Sequence, residues 1–348
     1  MAAPIRRRWL WLGAVGALGL VALARCLFAP PRYAGAKSDH FDGRRFHNQV
    51  PVVYGRFDFL RWMLTREEGP WREWVDAEPG LPPPVRVDGN RLRVTFINHA
   101  TLLVQMDGLN ILTDPIWSER CSPVSWAGPR RHRPPGIHFR DLPPIDVVLL
   151  SHNHYDHLDL PTLKRLAAEH APRIYVPLGN RRLLNDQGIE GVIEMGWWEE
   201  EALPPLRITA VPVQHFSARG VTDRNASLWS GWYLRSPAGG VFFAGDTGWG
   251  PHFEQVRERL GAPRVALLPI GAFRPRWFMA QVHISPDEML RAHRTLGARI
   301  SIPMHYGTFH LGDDGEREPI ERLRVEMAEA DEENIWILGF GEGREIPR

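Results

Sequence analysis

The chain is poor in cysteine, in lysine and in net charge, and each shortage removes a class of function. Cys26 and Cys121 are the only cysteines, so no disulfide framework can be built. Neither has a Cys-x-x-Cys partner, which argues against a thiolate zinc site. Lysine occurs only at Lys37 and Lys164, leaving few candidates for Schiff-base chemistry. The formal charge is +1 over 348 residues, so no strong field draws a polyanion, and no extended basic arm is visible; nucleic acid is not an expected partner. There is no short-period repeat and no low-complexity tract, which excludes a solenoid. What remains is the ordinary apolar and charged content of a soluble enzyme, long enough for one large domain or two small ones.

The N-terminus departs from that ordinary content. Arg6, Arg7 and Arg8 precede an apolar run from Trp9 to Leu23, with Arg25 beyond it. Residues 1–28 therefore read as a signal peptide or signal anchor, which places the rest of the chain on the extracytoplasmic, periplasmic side of a membrane. Residues 29–85 form an extension bounded by Pro30-Pro31 and Pro82-Pro83-Pro84. Within it, Phe57 to Leu64 has apolar residues near helical spacing, followed by Trp71 and Trp74. This is either a helix packed on the main domain or one that faces a membrane through Phe59, Trp62 and Met63.

Residues 86–348 read as one α/β domain. Expected strands lie at 92–97, 101–106, 110–113, 146–151, 173–176, 206–213, 228–234, 240–244, 265–269, 299–303 and 335–338. Expected helices lie at 160–170, 252–260, 286–296 and 319–330. Clusters of strands separated by helices predict two mixed sheets with helices on the outer faces.

The most informative stretch is His152-Asn153-His154-Tyr155-Asp156-His157. The apolar run from Ile145 to Leu150 leads into it as a buried strand. Asp159 and Pro161 follow as a helix start. His152 and His154, two apart in extended chain, project to one side and can grip one ion. Asp156 and His157 come after the chain turns and can face a second. Loops need turn formers and caps, but have no use for three imidazoles in six residues.

Three further segments share one design, an apolar strand ending in a single metal-capable residue. They end at His215, Asp246 and His305. With the motif they total five histidines and two aspartates, a set that fits two borderline ions sharing a carboxylate. Arg130-Arg131-His132-Arg133 is a separate basic cluster. It is either a solvated face or a site for lipid phosphate, with Arg131 as the substrate-binding candidate.

The pattern His152-x-His154-x-Asp156-His157 with His215, Asp246 and His305 resembles the metallo-β-lactamase fold hydrolases, over residues from about 90 to 340. Longer stretches resemble the N-acylphosphatidylethanolamine-hydrolysing phospholipases D. These are Ser118 to Pro129, Phe243-Ala244-Gly245-Asp246-Thr247-Gly248, Leu268 to Ala272 with Pro275 to Met279, and His305-Tyr306-Gly307-Thr308-Phe309. The resemblance implies an αβ/βα sandwich and two zinc ions. His152, His154 and His215 would hold the first, Asp156, His157 and His305 the second, with Asp246 bridging. His283, in Gln281 to Pro286, matches a histidine near that family's active site and could donate a proton to the leaving oxygen or hold the phosphate. Asp156, Asp246 and His283 are thus the catalytic candidates.

The implied activity is a zinc phosphodiesterase. Hydroxide bridging two ions would cleave a phospholipid at a membrane surface into phosphatidic acid and an N-acylethanolamine. A homodimer stays open. The apolar N-terminus departs from the animal enzymes. Two alternatives stay open: a hydrolase of the same fold acting on a soluble lactone or cyclic phosphodiester, and a non-catalytic envelope protein.

Overall fold

The computed structural model describes residues 32–220 and 222–348. The proposed targeting segment, residues 1–28, lies outside them. Among the described residues no helix is long and apolar enough to cross a membrane.

Two sheets face each other. The first has seven strands in the order β13-β1-β2-β3-β4-β5-β6: β1 (Leu92–Asn98), β2 (Thr101–Met106), β3 (Leu109–Thr113), β4 (Val147–Leu149), β5 (Arg173–Pro177), β6 (Val192–Met195) and β13 (Gly343–Glu345). Strands β1 to β3 form an antiparallel meander, and β3 to β6 run parallel. The second has six strands in the order β12-β11-β10-β9-β8-β7: β7 (Glu200–Leu203), β8 (Leu206–Val211), β9 (Gly231–Ser236), β10 (Gly239–Phe243), β11 (Val265–Pro269) and β12 (Ile300–Met304). Here β10 to β12 are parallel and the rest antiparallel. Both sheets are mixed, as the spacing of strands and helices predicts.

The main core fills the space between the sheets, where Val94, Phe96, Val104, Val147 and Leu149 meet Ile208, Trp232, Phe242, Leu267 and Ile302. These strands are buried on both faces, which is why they read as continuous apolar runs. A second core covers the far face of the first sheet. There Leu163 and Leu166 of α2 (Leu160–His170) and Leu184 of α3 (Arg181–Asn185) pack on Val148, Leu150, Ile174 and Val176. Outside the second sheet, α4 (His252–Leu260), α6 (Pro286–Leu296) and α7 (Glu318–Glu329) pack together. Helix α6 opens with Ser285 and Glu288 in a capping box and closes on Gly297 at φ 60°, which fixes both of its ends.

Helix α1 (Asp58–Leu64) of the extension docks beside α5 (Arg276–Met279). Trp62 is buried, its ring 5.1 Å from Phe278 and its Nε1–H donating to Asp313 at 3.0 Å. Arg66 donates to the same carboxylate at 2.9 Å. Trp62 is therefore an anchor to the fold and not a membrane-facing residue, a correction that follows from its indole N–H needing an acceptor. Its neighbours differ: Phe59 is 63% exposed, Met63 47% and Leu64 76%, and Arg61 lies over the ring of Trp277, itself 43% exposed. One helix thus packs inward through Trp62 and outward presents an apolar face.

Segment 335–338 is not a strand. Ile335 makes one bridge to Ser301, and the chain joins the first sheet only later, as β13. Strands β6 and β7 and helices α3 and α5 are too short and too weakly patterned to stand out in the sequence.

Candidate metal centre

The His152–His157 segment follows β4 and precedes α2, on a strand-to-helix turn. The amides of His157 and Leu158 donate to the His154 carbonyl at 3.2 and 2.8 Å. This reverses the chain between the two pairs of ligands, as the motif requires. Asp159 occupies the N-cap position with Pro161 in the first turn, but makes no side-chain cap bond. Its carboxylate instead accepts from Ser118 Oγ at 2.7 Å and Thr162 Oγ1 at 2.5 Å, tying a neighbouring loop to the turn.

The other candidates arrive on loops at the same end of the sheets. Gly245, at φ +60°, precedes Asp246; a Cβ there would lie 2.4 Å from the Ser151 Cβ. Glycine is what allows the two ligand loops to touch. His305 follows β12 directly, with φ 63°.

The structure brings all seven predicted ligands together. His152 Nε2 lies 2.8 Å from His154 Nδ1, and His215 Nε2 lies 3.4 Å from the same atom. On the other side, Asp156 Oδ2 lies 3.2 Å from His157 Nε2 and 3.3 Å from His305 Nε2. Asp246 Oδ2 stands between the groups, 3.1 Å from His305 Nε2, 3.2 Å from His157 Nε2 and 3.8 Å from His215 Nε2. His283 is near as well, its Nδ1 3.9 Å from the same oxygen.

The donor set fits cations. Three ligand rings are aimed by partners behind them. Asp114 Oδ2 takes His157 Nδ1–H at 2.6 Å, the Val282 carbonyl takes His215 Nδ1–H at 2.9 Å, and Ser151 Oγ lies 2.9 Å from His152 Nδ1. Each bond turns a bare Nε2 inward, the arrangement that orients metal-binding imidazoles. Among the described residues, Asp246 Oδ1 is buried without a hydrogen-bond partner, a costly state that metal ligation relieves.

Charge points the same way. Burial pushes His154 down to about 3 and holds His152 and His215 well below the usual imidazole range, so their lone pairs are free. Burial also opposes charge on His305, but the Asp246 and Asp156 carboxylates outweigh it and push it up to about 9. The carboxylate side therefore demands positive charge, which protons supply when ions do not.

Two buried residues at the centre carry no sequence signal of their own. Asp114, at the end of β3, also accepts from the Ser151 amide at 2.7 Å. His99, in the β1–β2 turn at φ 48°, lies 2.9 Å from Asp156 Oδ2 through Nε2. A lone histidine in Asn98-His99-Ala100 looks like any turn residue.

The basic cluster is dispersed. Arg131 is 4% exposed, and its guanidinium donates to the carbonyls of Ser118, Ile116 and Arg133 at 3.0, 3.2 and 3.5 Å. Arg130 pairs with Glu119 and Arg133 with Glu316. Arg131 is therefore not a substrate-binding residue: its donors are already committed to buried backbone acceptors.

Above the ligands lies a cavity of about 550 Å³. His154, Asp156, Asp246, His283 and His305 form its polar floor; Phe59, Trp62, Phe216, Phe278 and Met279 give it an apolar wall. Polar groups converging at the base of an apolar cleft are the usual form of a site for an amphipathic ligand.

Residues 109–306 match the family described as Beta-lactamase superfamily domain. The chain is 40% identical over 249 residues to the N-acyl-phosphatidylethanolamine-hydrolyzing phospholipase D 1 of Caenorhabditis elegans, covering 68% of this chain and 70% of that protein. It is 32% identical over 260 residues to a metal-dependent hydrolase of Methanopyrus kandleri, covering 73% of this chain and 100% of the other. Among solved structures, a metallo hydrolase of Ignicoccus hospitalis shares the fold, with TM-score 0.56 at 22% identity over 74% of this chain and 99% of that one. The chain belongs to the beta-lactamase superfamily, as a metal-dependent hydrolase homologous to the N-acyl-phosphatidylethanolamine-hydrolysing phospholipases D.

Proposed function

We propose that the protein is a two-zinc phosphodiesterase that cleaves a phospholipid of the N-acylphosphatidylethanolamine type into phosphatidic acid and an N-acylethanolamine. The observation that carries this reading is the position of Asp246 Oδ2 between the two groups of imidazoles, at the floor of an apolar-walled cavity. A carboxylate shared between two ions suits hydrolysis of a phosphodiester, and the wall suits an acyl chain. The name of the Caenorhabditis elegans relative supports the substrate class.

His152, His154 and His215 would hold one zinc, and Asp156, His157 and His305 the other, with Asp246 touching both. When bound, the ions would supply Lewis acidity and a water of lowered pKa. The chain's own residues do the rest. Asp114, Ser151 and the Val282 carbonyl fix the ligand rings. The apolar wall lowers the polarity beside the ligands, which strengthens charge interactions there. Water adds to phosphorus as the phosphorus–alkoxide bond breaks, and the leaving oxygen takes up a proton. His283 lines the cavity floor, its Nδ1 buried, 3.9 Å from Asp246 Oδ2 and, among the described residues, without a hydrogen-bond partner. Burial holds it down to about 4, so near neutral pH it stands as a neutral imidazole that can donate a hydrogen bond to the leaving oxygen or to the phosphate.

A substrate with two or three acyl chains stays in a bilayer, so the enzyme must work at a membrane surface. Phe59 lines the cavity wall, and the exposed apolar side chains of Leu60, Met63 and Leu64 on the same helix support that arrangement. An N-terminal tether on residues 1–28 would hold the catalytic part at the periplasmic face. Assay of the zinc-loaded protein on vesicles tests the reading. Phosphatidic acid should appear from N-acylphosphatidylethanolamine faster than from ordinary phosphatidylethanolamine. Turnover of a soluble lactone or cyclic phosphodiester without any phosphatidic acid would replace it with the soluble-substrate alternative.

A further inference from the structure

The cavity wall holds a cation that the metal centre does not account for. Arg224 lines the cleft and is half-buried. Its guanidinium lies over the Phe216 ring at 3.9 Å from the centroid. Phe216 in turn stands edge-on to His154, with ring centroids 4.5 Å apart, and 4.9 Å from His215. One aromatic layer thus separates the guanidinium from two ligand histidines. Tyr54, also on the wall, lies 5.6 Å from it on another side.

Among the described residues, Arg224 has no carboxylate within ion-pair distance and no hydrogen bond from its side chain. The nearest acid in sequence, Asp223, is occupied by the amides of Arg219 and Gly220 at 2.8 and 2.7 Å. Arg219 is different: it donates to the carbonyls of Asn153 and Leu158 and stacks on Tyr155, so its donors are used. The ionisable groups acting on Arg224 are Tyr54 and a second cation, Arg45. A half-buried guanidinium, held flat and left without an anion, lacks the partner that buried charge requires.

We infer that Arg224 is the specificity-determining residue that takes a non-reacting oxygen of the substrate's phosphate, so that the site selects phosphate-bearing substrates over neutral esters. This rests on the phosphodiesterase reading for its substrate, though the phosphate site itself can be tested without it. A planar guanidinium offers parallel N–H donors that match two phosphate oxygens. Stacking on Phe216 fixes that plane, so little rotamer freedom is lost when the anion arrives. Arg56, the other arginine on the cavity wall, is exposed and has no comparable support.

The test uses the zinc-loaded full chain and its Arg224→Ala and Arg224→Lys variants. Each is assayed on bis(p-nitrophenyl) phosphate and on the neutral ester p-nitrophenyl acetate, and titrated with inorganic phosphate by calorimetry. Arg224→Ala should lower kcat/KM on the phosphodiester about 10- to 100-fold, the range for one charged hydrogen-bonding contact. Most of that should lie in KM, with the neutral ester changed less than about twofold. Phosphate affinity should fall by a similar factor, and Arg224→Lys should recover part of both losses. Equal loss on the two substrates would make Arg224 a packing residue and overturn the inference, as would unchanged phosphate affinity. If the unaltered chain cleaves no phosphodiester but binds phosphate through Arg224, the phosphodiesterase reading falls and the phosphate site stands. If it cleaves the phosphodiester and Arg224→Ala cleaves it equally well, the reverse holds.

Discussion

His99 Nε2 lies 2.9 Å from Asp156 Oδ2, and the His99 ring lies 4.0 Å from the ring of His305. The contact joins a turn of the first sheet to a carboxylate of the metal centre. A residue that hydrogen-bonds a metal-binding carboxylate typically changes metal affinity 10- to 100-fold. His99→Ala should therefore weaken the ion on the Asp156–His157–His305 side by about that factor. Elemental analysis after dialysis against a graded chelator checks it. Retention of both ions at unchanged chelator strength would show that Asp156 is oriented without His99.

Asp246→Ala should be the most damaging single change at the site. Its Oδ2 reaches His305 and His157 on one side and His215 on the other. Activity should drop by several orders of magnitude and metal content by more than one ion per chain. Activity within about tenfold of the unaltered protein, a difference of about 1.4 kcal/mol, would exclude a shared ligand.

Arg131→Ala should cost stability and leave substrate affinity alone. Three carbonyls lose their donor in a buried setting, at a cost of about 2 kcal/mol. A fall of several degrees in Tm with an unchanged KM is expected. A raised KM at unchanged Tm would return Arg131 to the substrate site.

The extension permits a paired comparison. Phe59→Ser with Met63→Ser should lower vesicle hydrolysis more than hydrolysis of a soluble phosphodiester, because both side chains face solvent. Trp62→Ser should lower both together and reduce Tm, since it breaks the contact to Asp313. Equal effects of the two sets on both substrates would make the whole helix core packing.

Acid sensitivity has an identifiable contributor in His252, buried at the start of α4, with Thr247 Oγ1 3.1 Å from its Nε2. Burial pushes it down to about 3, against about 6.5 in an unfolded chain. Between those values the unfolded state binds the extra proton, so stability falls as pH drops from about 6.5 toward 3. His252→Gln should flatten that part of the stability curve; an unchanged slope would remove His252 from it.

Much of this was legible in the sequence because the signals were dense. Three histidines and an aspartate in six residues can hardly be anything but a site, and apolar strands ending at His215, Asp246 and His305 repeat one design. Strands buried on both faces showed as apolar runs. What stayed hidden depends on contacts between distant segments. His99 and Asp114 are single polar residues whose meaning comes from Asp156 and His157 across the fold. Arg224 gains its place from stacking on Phe216. The Arg130–Arg133 run misled because charge in sequence says nothing of partners: Glu119, Glu316 and three carbonyls absorb it. Trp62 and Phe59 share a helix, and only packing decides which of them faces in.

The central claim is attack of water on phosphorus, and hydrolysis in oxygen-18 water tests it most directly. With N-acylphosphatidylethanolamine vesicles and the zinc-loaded protein, mass spectrometry should find one heavy oxygen in phosphatidic acid and none in the N-acylethanolamine. Label in the N-acylethanolamine, or in a released fatty acid, would place the cleaved bond elsewhere and contradict the account.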